Sequence, residues 1–322
     1  MASDYMEYPP FPYKGRNWHL TLRTPKHPRS FTASSKGIFP AKEVLINAAK
    51  EVVAQRAADL IHSARLAIEG SLLTSVVSPG EQVPIRRLTE TYEADEDSKE
   101  TIVTCHIPWA CLIAARASRS FTYEYALAKL RLSLETFSVP TMYLDPSHSG
   151  NLARSPIPFD HIRLGFAITM AYSCIEELHC EIRASSQRPS TINGEWNPAV
   201  LTELEERLRS FRIDLSETFP WSVRGGKTLL EKKRPPKLLK KSSWAWRQVR
   251  DGEMPLTQAL ALASFLRSKV TTHRSEKSLL RVLSAYDVHN VQFLARRLLL
   301  ERTGHWRWHE NRQDTDNSQS AS

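Results

Sequence analysis

Arg267 and His273 are the residues of this chain whose types and spacing best suit chemistry on a phosphodiester. They close the stretch Ala-Leu-Ala-Ser-Phe-Leu-Arg-Ser-Lys-Val-Thr-Thr-His, in which an apolar helical pattern runs up to the arginine. A guanidinium binds a phosphate through a fixed fork of N–H donors, and an imidazole moves a proton near neutral pH. These two groups together supply the minimum chemistry for cutting RNA without a metal ion.

The spacing alone is not selective. In a chain of this composition, an arginine followed by a histidine after four to six residues should occur roughly three times by chance. Four such pairs occur, namely Arg56/His62, Arg154/His161, Arg267/His273 and Arg302/His309. The first lies within one continuous helical pattern, where the two side chains point to different faces. The second lies in a proline-rich linker, and the fourth in a polar tail. Only the third spans a break between two amphipathic patterns, where the β-branched run 270–272 can turn both side chains into one groove. The alternative is a surface arginine and a capping histidine.

Charge and composition narrow the classes of partner. The chain has 322 residues, a net charge of +9 and a hydrophobic share of 41%, so a packed core is expected. The positive charge favours nucleic acid first and an anionic membrane second, although a basic protein without either partner stays open. Residues 1–10 have neither the basic nor the apolar region of a signal peptide, and no stretch reaches the length of a membrane span. We therefore expect a cytoplasmic location and no membrane partner.

The cysteines do not have metal-site spacing. Within each neighbouring couple the thiols are six positions apart, which places them on nearly opposite faces of a helix, whereas zinc sites usually have shorter gaps. We predict buried, unreactive thiols and neither a metal nor another cofactor. The alternative is a metal site that includes His106 and His179. The cysteines are Cys105, Cys111, Cys174 and Cys180.

Periodicity predicts an all-α fold, a helical bundle preceded by a small irregular or β-containing segment over 1–38. A short strand is possible over 17–23 and another over 101–105, and residues 78–107 read as a loop or β excursion. The helical domain covers 39–303, and a polar tail follows over 304–322. The predicted helices cover 41–73, 108–137, 159–184, a segment that begins at Asn197, 256–270 and 287–302. A long loop is expected from 212 to 244.

A strongly basic stretch lies inside that loop. Residues 224–247 hold nine cations and one acid, and tryptophans flank them. Cations neutralise phosphates and aromatic rings stack on unpaired bases, so single-stranded RNA is a physical match. The alternative is a solvated loop whose tryptophans, including Trp221 and Trp246, lie in the core. The predicted RNA-binding residues are Lys227, Lys232, Lys233, Arg234, Lys237, Lys240, Lys241 and Trp244, with Lys269 and Arg274 beside the histidine.

Two further patterns contain residue types that could do chemistry. Gly226-Lys227-Thr228 resembles the end of a phosphate-binding P-loop, but Trp221 stands where that motif requires a glycine, which argues against a nucleotide triphosphatase. Glu176 and Glu177 lie on the most apolar predicted helix and could orient a catalytic cation. Such carboxylates more often form the hydrated edge of a helix.

The motif Arg267-Ser-Lys-Val-Thr-Thr-His273, placed between the last two helices of a helical chain, resembles the Arg-x(4–6)-His motif of HEPN domains. The resemblance is most credible over 159–302. It implies a metal-independent endoribonuclease, possible toxin or defence biology, and a homodimer in which two motifs line one cleft. A regulatory protein partner is also possible. By the same resemblance Arg267 would hold the scissile phosphate and His273 would transfer protons. Ser268 stands where the family often has Asn, Asp or His, and serine is polar but orients a neighbouring group less strongly.

The neighbours of the histidine suit this role. Lys269 and Arg274 should lower the pKa of His273, and a bound phosphate should raise it again. The alternative function is a non-catalytic module of the same fold that binds RNA or a protein through residues 224–247.

Overall fold

The structure is a computed structural model of the chain, and it describes residues 5–7, 14–25, 42–69, 87–90, 109–137, 158–192, 195–223, 250–271, 283 and 285–304. Helices dominate these residues, as predicted, but three small antiparallel sheets accompany them, so a purely all-α description is too narrow. The chain divides into two units, 1–128 and 129–322. The predicted boundaries near 38 and 304 stay predictions. Among the described helices, none combines the length and apolarity needed to cross a bilayer.

The first unit contains an antiparallel sheet of five strands. Its central path runs β1–β3–β4–β5, and β2 pairs with β3. The predicted strand over 17–23 is confirmed by β3, and β5 lies within the predicted excursion over 78–107, whereas 101–105 lies outside the described residues. The strands are β1 (Tyr5–Glu7), β2 (Lys14–Gly15), β3 (Trp18–Pro25), β4 (Lys42–Ala48) and β5 (Arg87–Glu90).

The predicted helix over 41–73 is wrong in its first part. Residues 42–48 form β4, and the helix α1 begins only at Glu51 and ends at Glu69. The strand lies between β3 and β5 and pairs with both, so its backbone N–H and carbonyl groups form hydrogen bonds along both edges. Ile46 is buried and Asn47 exposed, which is the period of a strand. Pairing with distant strands thus overrides a weak local helical pattern.

The predicted single helix over 108–137 is divided in two. The structure has α2 over 109–117 and α3 over Phe121–Thr136. Ser118 donates its hydroxyl to the carbonyl of Ala115 at 2.9 Å, and the carbonyl of Ser120 accepts the first intrahelical bond of α3, from Glu124 N–H, at 3.0 Å. Serine competes for backbone hydrogen bonds and favours helix ends, which explains the break.

The second unit is built around three helices that pack on one another. The long α7 lies along α4, and α6 contacts both. The apolar side chains of α7 are buried, including Val288, Val291 and Leu298. The elements of this unit after α3 are α4 (Pro158–Glu177), β6 (Thr191–Ile192), β7 (Glu195–Trp196), α5 (Pro198–Ser210), β8 (Thr218–Val223), β9 (Arg250–Pro255), α6 (Leu256–Phe265), a π-helical turn (Leu266–Thr271) and α7 (Ala285–Thr303).

The helix α4 ends seven residues before its predicted end at 184. His179 adopts a left-handed backbone with φ of 58°. Its N–H bonds to the carbonyl of Glu176, and the N–H of Cys180 bonds to that of Ile175, both at 3.0 Å. This is a Schellman ending with a histidine in the place usually taken by glycine. The helix is also less enclosed than its apolar sequence predicts, since Ile162 is 64% exposed.

The start of α5 is confirmed as predicted. Asn197 caps the helix, because its side-chain oxygen accepts the N–H of Ala199 at 3.2 Å, and Pro198 occupies the first turn. Proline has no backbone N–H, and in the first turn of a helix that group would have no intrahelical acceptor, so proline is tolerated there.

The predicted loop from 212 to 244 is partly wrong, because β8 occupies its first third. This strand pairs with β9 along six positions, from Thr218 opposite Pro255 to Val223 opposite Arg250. The ribbon packs on α6 and α7. The ladder thus holds Val223 and Arg250, which stand on either side of residues 224–249, and those residues themselves lie outside the described part.

His161, near the start of α4, gives the second unit a pH dependence. It is buried, and burial lowers the pKa of its imidazole. Because the folded pKa is below the unfolded value, the unfolded chain binds the proton more readily, and stability is lost as the pH falls from about 7 through 6.5 toward the folded pKa. We expect the free energy of unfolding to fall over pH 7 to 5. One proton limits the slope to about 1.4 kcal/mol per pH unit.

The variant His161→Leu should flatten that slope, whereas His179→Asn at an exposed position should leave it unchanged. Denaturant titrations at a series of pH values measure both. An unaltered slope in His161→Leu would remove His161 as its source.

Candidate functional site

One wall of the candidate site is the last two turns of α4. Tyr172 and Glu176 are four positions apart, so they share one face of the helix. The hydroxyl of Ser173 donates to Glu176 Oε2 at 3.3 Å. The Schellman ending uses the carbonyl of Glu176, so the backbone that carries this carboxylate is fixed by the same hydrogen bonds that end the helix.

The other wall is the turn that follows α6. The sequence predicted an α-helix to 270 and a bend over 270–272, but the α-helix ends at Phe265 and a π-helical turn begins at Leu266. Arg267 is the second residue of this turn, and Leu266 beside it is buried. The turn packs on α4. π-helical turns are rare and occur frequently at functional sites.

The two walls bring Arg267 to Glu176. Arg267 Nη2 lies 3.1 Å from Glu176 Oε1, and the guanidinium carbon lies 5.7 Å from the centre of the Tyr172 ring. The side chain of Arg267 is 38% exposed and that of Glu176 is 32% exposed. A carboxylate and an aromatic face thus hold a cation at the protein surface, where solvent can still reach it. Water also screens the pair, so we assign it little net stabilisation.

Tyr172 is a fixed, neutral part of this arrangement. Burial raises the pKa of its hydroxyl, and a hydrogen bond with Ser264 of α6 opposes that rise in part. The tyrosine therefore stays protonated and links α4 to α6 directly before the turn that carries Arg267. Sequence reasoning missed Tyr172 and Ser173. The four-residue spacing of Tyr172 and Glu176 could have indicated the former.

The predicted site residues separate into three groups. Arg267 and Glu176 are brought together. Glu177 Oε1 lies 2.6 Å from Lys129 Nζ, so in this structure it forms an ion pair with a different cation. Ser268 is half-buried within the turn. His273, Arg274 and the predicted RNA-binding residues Lys227, Lys232, Lys233, Arg234, Lys237, Lys240, Lys241 and Trp244 lie outside the described residues, as does the side chain of Lys269.

Trp221 belongs to the core. It is 1% exposed, and its ring centre lies 6.3 Å from that of Phe219. It therefore cannot stack on a base in this conformation, and the core alternative holds for this tryptophan.

The competing Arg/His pairs have structural partners where they are described. Arg56 forms an ion pair with Glu124. His161, from the second pair, is buried. Arg302, from the fourth pair, has its guanidinium 3.7 Å from the centre of the Phe211 ring. Arg56 and Arg302 thus have contacts of the same kinds as Arg267, and what distinguishes Arg267 is its position in the π-helical turn.

The thiols are as predicted where the structure describes them. Cys111, Cys174 and Cys180 are free and buried. Burial raises the pKa of the Cys180 thiol to about 12 and that of Cys174 further. Such thiols are poor nucleophiles and poor metal ligands near neutral pH. Within the described ranges, no three His, Cys, Asp or Glu side chains are grouped so that they could hold a metal ion.

Comparison with protein-family models, with curated proteins and with solved structures finds no match for this chain. The resemblance to HEPN domains therefore rests on the motif and its position between helices, and stays a prediction.

Proposed function

We propose that this protein is an endoribonuclease that cuts single-stranded RNA without a metal ion, with Arg267 on the scissile phosphate and His273 in proton transfer. One observation carries the proposal. The motif arginine lies in a π-helical turn, with its guanidinium held by Glu176 and Tyr172 and more than a third of the side chain open to solvent.

The chemistry requires no group beyond this chain, the RNA and solvent water. The 2′-hydroxyl loses its proton, its oxygen attacks the adjacent phosphorus, and the bond from phosphorus to the 5′-oxygen breaks. The leaving oxygen takes up a proton, so the products are a 2′,3′-cyclic phosphate and a 5′-hydroxyl. His273 exchanges one of these two protons and water exchanges the other, while Arg267 stabilises the negative charge that accumulates on the phosphate oxygens.

The contact with Glu176 is compatible with phosphate binding. A guanidinium has five N–H donors in one plane, so it can donate to a carboxylate along one edge and to a phosphate along another. Glu176 then acts as a positioning residue: it holds the fork in one orientation, and its charge keeps the arginine from binding every passing anion tightly.

The resemblance adds two further proposals, a homodimer and a HEPN-like core formed by the helices within residues 159–302. The sequence adds a third, a cytoplasmic location. The ribbon of β8 and β9 supports a role for the basic stretch, since the strands on either side of it belong to the same unit as Arg267.

The proposal is tested by incubating the purified protein with labelled single-stranded RNA in excess EDTA and determining the ends of the products. We expect cleavage that survives the chelator and leaves 2′,3′-cyclic phosphates. Binding without cleavage would favour the alternative, a non-catalytic RNA-binding module.

The variant Glu176→Gln tests the positioning role. It keeps the shape of the side chain and removes its charge, so we expect kcat to fall about tenfold, as for a lost charge-assisted hydrogen bond. KM should not rise, because the arginine loses a competing anion.

Glu205→Gln is the matched control. Glu205 is also 32% exposed and pairs with Arg209 at 2.8 Å, away from the motif. Its kinetics should equal those of the wild type. If Glu176→Gln instead raises KM and lowers the melting temperature together, Glu176 is merely structural.

A further inference from the structure

The first unit contains an open groove at one end of its sheet. The groove has a volume of about 540 Å³, which lies within the usual range for small-ligand sites. Its lining residues are Lys14, Asn17, Trp18, His19, Ile46, Asn47, Ala48 and Ala49. Within the described part of the chain, this lining contains a cation and no carboxylate.

Strand register aligns three of the polar residues. Lys14 is opposite His19, and His19 is opposite Asn47, so the three stand in one row across β2, β3 and β4. All three side chains are exposed, whereas Trp18 and Ile46, which also line the groove, are buried. Directly opposed side chains in antiparallel strands lie about 5 Å apart. An ammonium, an imidazole and a carboxamide thus face the same space.

The hairpin that carries Lys14 is held in place. Asn17, in the turn, has a left-handed backbone with φ of 67°, which asparagine tolerates better than most residues. The Trp18 ring lies over Gly15, where any Cβ would overlap it. The N–H of Arg16 donates to Ser118 Oγ at 2.9 Å, and Arg119 donates to the carbonyl of Lys14. The groove is therefore preorganised, with a second cation beside it.

We propose that this groove binds a nucleoside monophosphate, either as a free nucleotide or as one nucleotide of an RNA strand. Lys14 contacts the phosphate, and the imidazole of His19 donates to the phosphate or stacks on the base. The carboxamides of Asn17 and Asn47 pair with donor and acceptor atoms at the base edge, as asparagine does with adenine. A lone phosphate would leave most of the volume unfilled. The proposal is independent of the nuclease activity, because Lys14, Asn17, His19 and Asn47 belong to the first unit and Arg267 to the second.

The test is isothermal titration of the full chain with four probes. These are adenosine 5′-monophosphate, adenosine, inorganic phosphate and a 2′-O-methylated RNA oligonucleotide, which cannot be cut through a 2′-hydroxyl. We expect one monophosphate site per chain, with adenosine and inorganic phosphate each binding at least about tenfold more weakly.

Lys14→Gln should weaken monophosphate binding at least about tenfold, since it removes a charged hydrogen bond. Lys50→Gln, at an exposed position outside the lining, should keep the affinity for the monophosphate within about twofold of the wild-type value. If Lys14→Gln also weakens oligonucleotide binding, the source is a strand, and if it weakens only the monophosphate, the source is a free nucleotide. Absence of monophosphate binding, or equal losses in both variants, would overturn the proposal.

Discussion

Replacing His273 with alanine is expected to lower the rate of RNA cleavage by about 100- to 10,000-fold, the usual contribution of a general acid or base. Binding of the RNA should change little, because the neutral imidazole adds little attraction for phosphate. The measurement is single-turnover cleavage in EDTA, alongside an equilibrium binding titration with an RNA that cannot be cut.

The matched control is His179→Asn. His179 is an exposed histidine of the same unit, and asparagine tolerates its left-handed backbone. This variant should cut RNA at the wild-type rate. A His273→Ala protein as fast as the control would exclude the imidazole from catalysis.

Replacing Arg297 with methionine is expected to lower the free energy of unfolding by about 3–5 kcal/mol, the usual loss when one partner of a buried ion pair is removed. The side chain of Arg297 is 1% exposed. Its Nε lies 2.8 Å from Glu301 Oε1, and its Nη2 lies 2.9 Å from Glu217 Oε2. Methionine fills similar volume but leaves Glu301, which is 7% exposed, as a buried carboxylate without its cation.

Arg297 also connects α7 to the start of the ribbon, since its Nη1 donates to the carbonyl of Thr218 at 3.3 Å. The control is Arg209→Met, at an exposed arginine whose ion pair with Glu205 also spans one helical turn. This change should alter stability by less than about 1 kcal/mol. Chemical denaturation monitored by tryptophan fluorescence measures the free energy of unfolding of Arg297→Met and Arg209→Met. Equal losses in the two variants would contradict a special role for Arg297.

Sequence signals that act within one or two helical turns were enough to place some of the helices. The helix α5 could be placed from Asn197 and Pro198, since capping acts within one turn. The helix α7 could be placed from its apolar period. The strand β4 could not, because residues 42–48 are held by pairing with β3 and β5, which come from distant parts of the sequence. The break at 118–120 depends on serine hydroxyls that bond the backbone instead of solvent.

The candidate site was predictable in its residue types and not in its geometry. The sequence identified Arg267, and it identified Glu176 as a carboxylate that could orient a cation. Their ion pair depends on the packing of α4 against the turn after α6. The π-helical backbone of that turn has no local sequence signature, so a bend was expected four residues later. Glu177, which is adjacent to Glu176, points to another part of the helix surface because successive helical residues face different directions.

The most direct test of the account is the single-turnover rate of RNA cleavage, in excess EDTA, by the wild type and by the double variant Arg267→Ala/His273→Ala. We expect the wild type to cut the RNA and leave 2′,3′-cyclic phosphate ends. The double variant should cut no faster than the RNA breaks down spontaneously without protein. A double variant that cuts at the wild-type rate would contradict the assignment of the site.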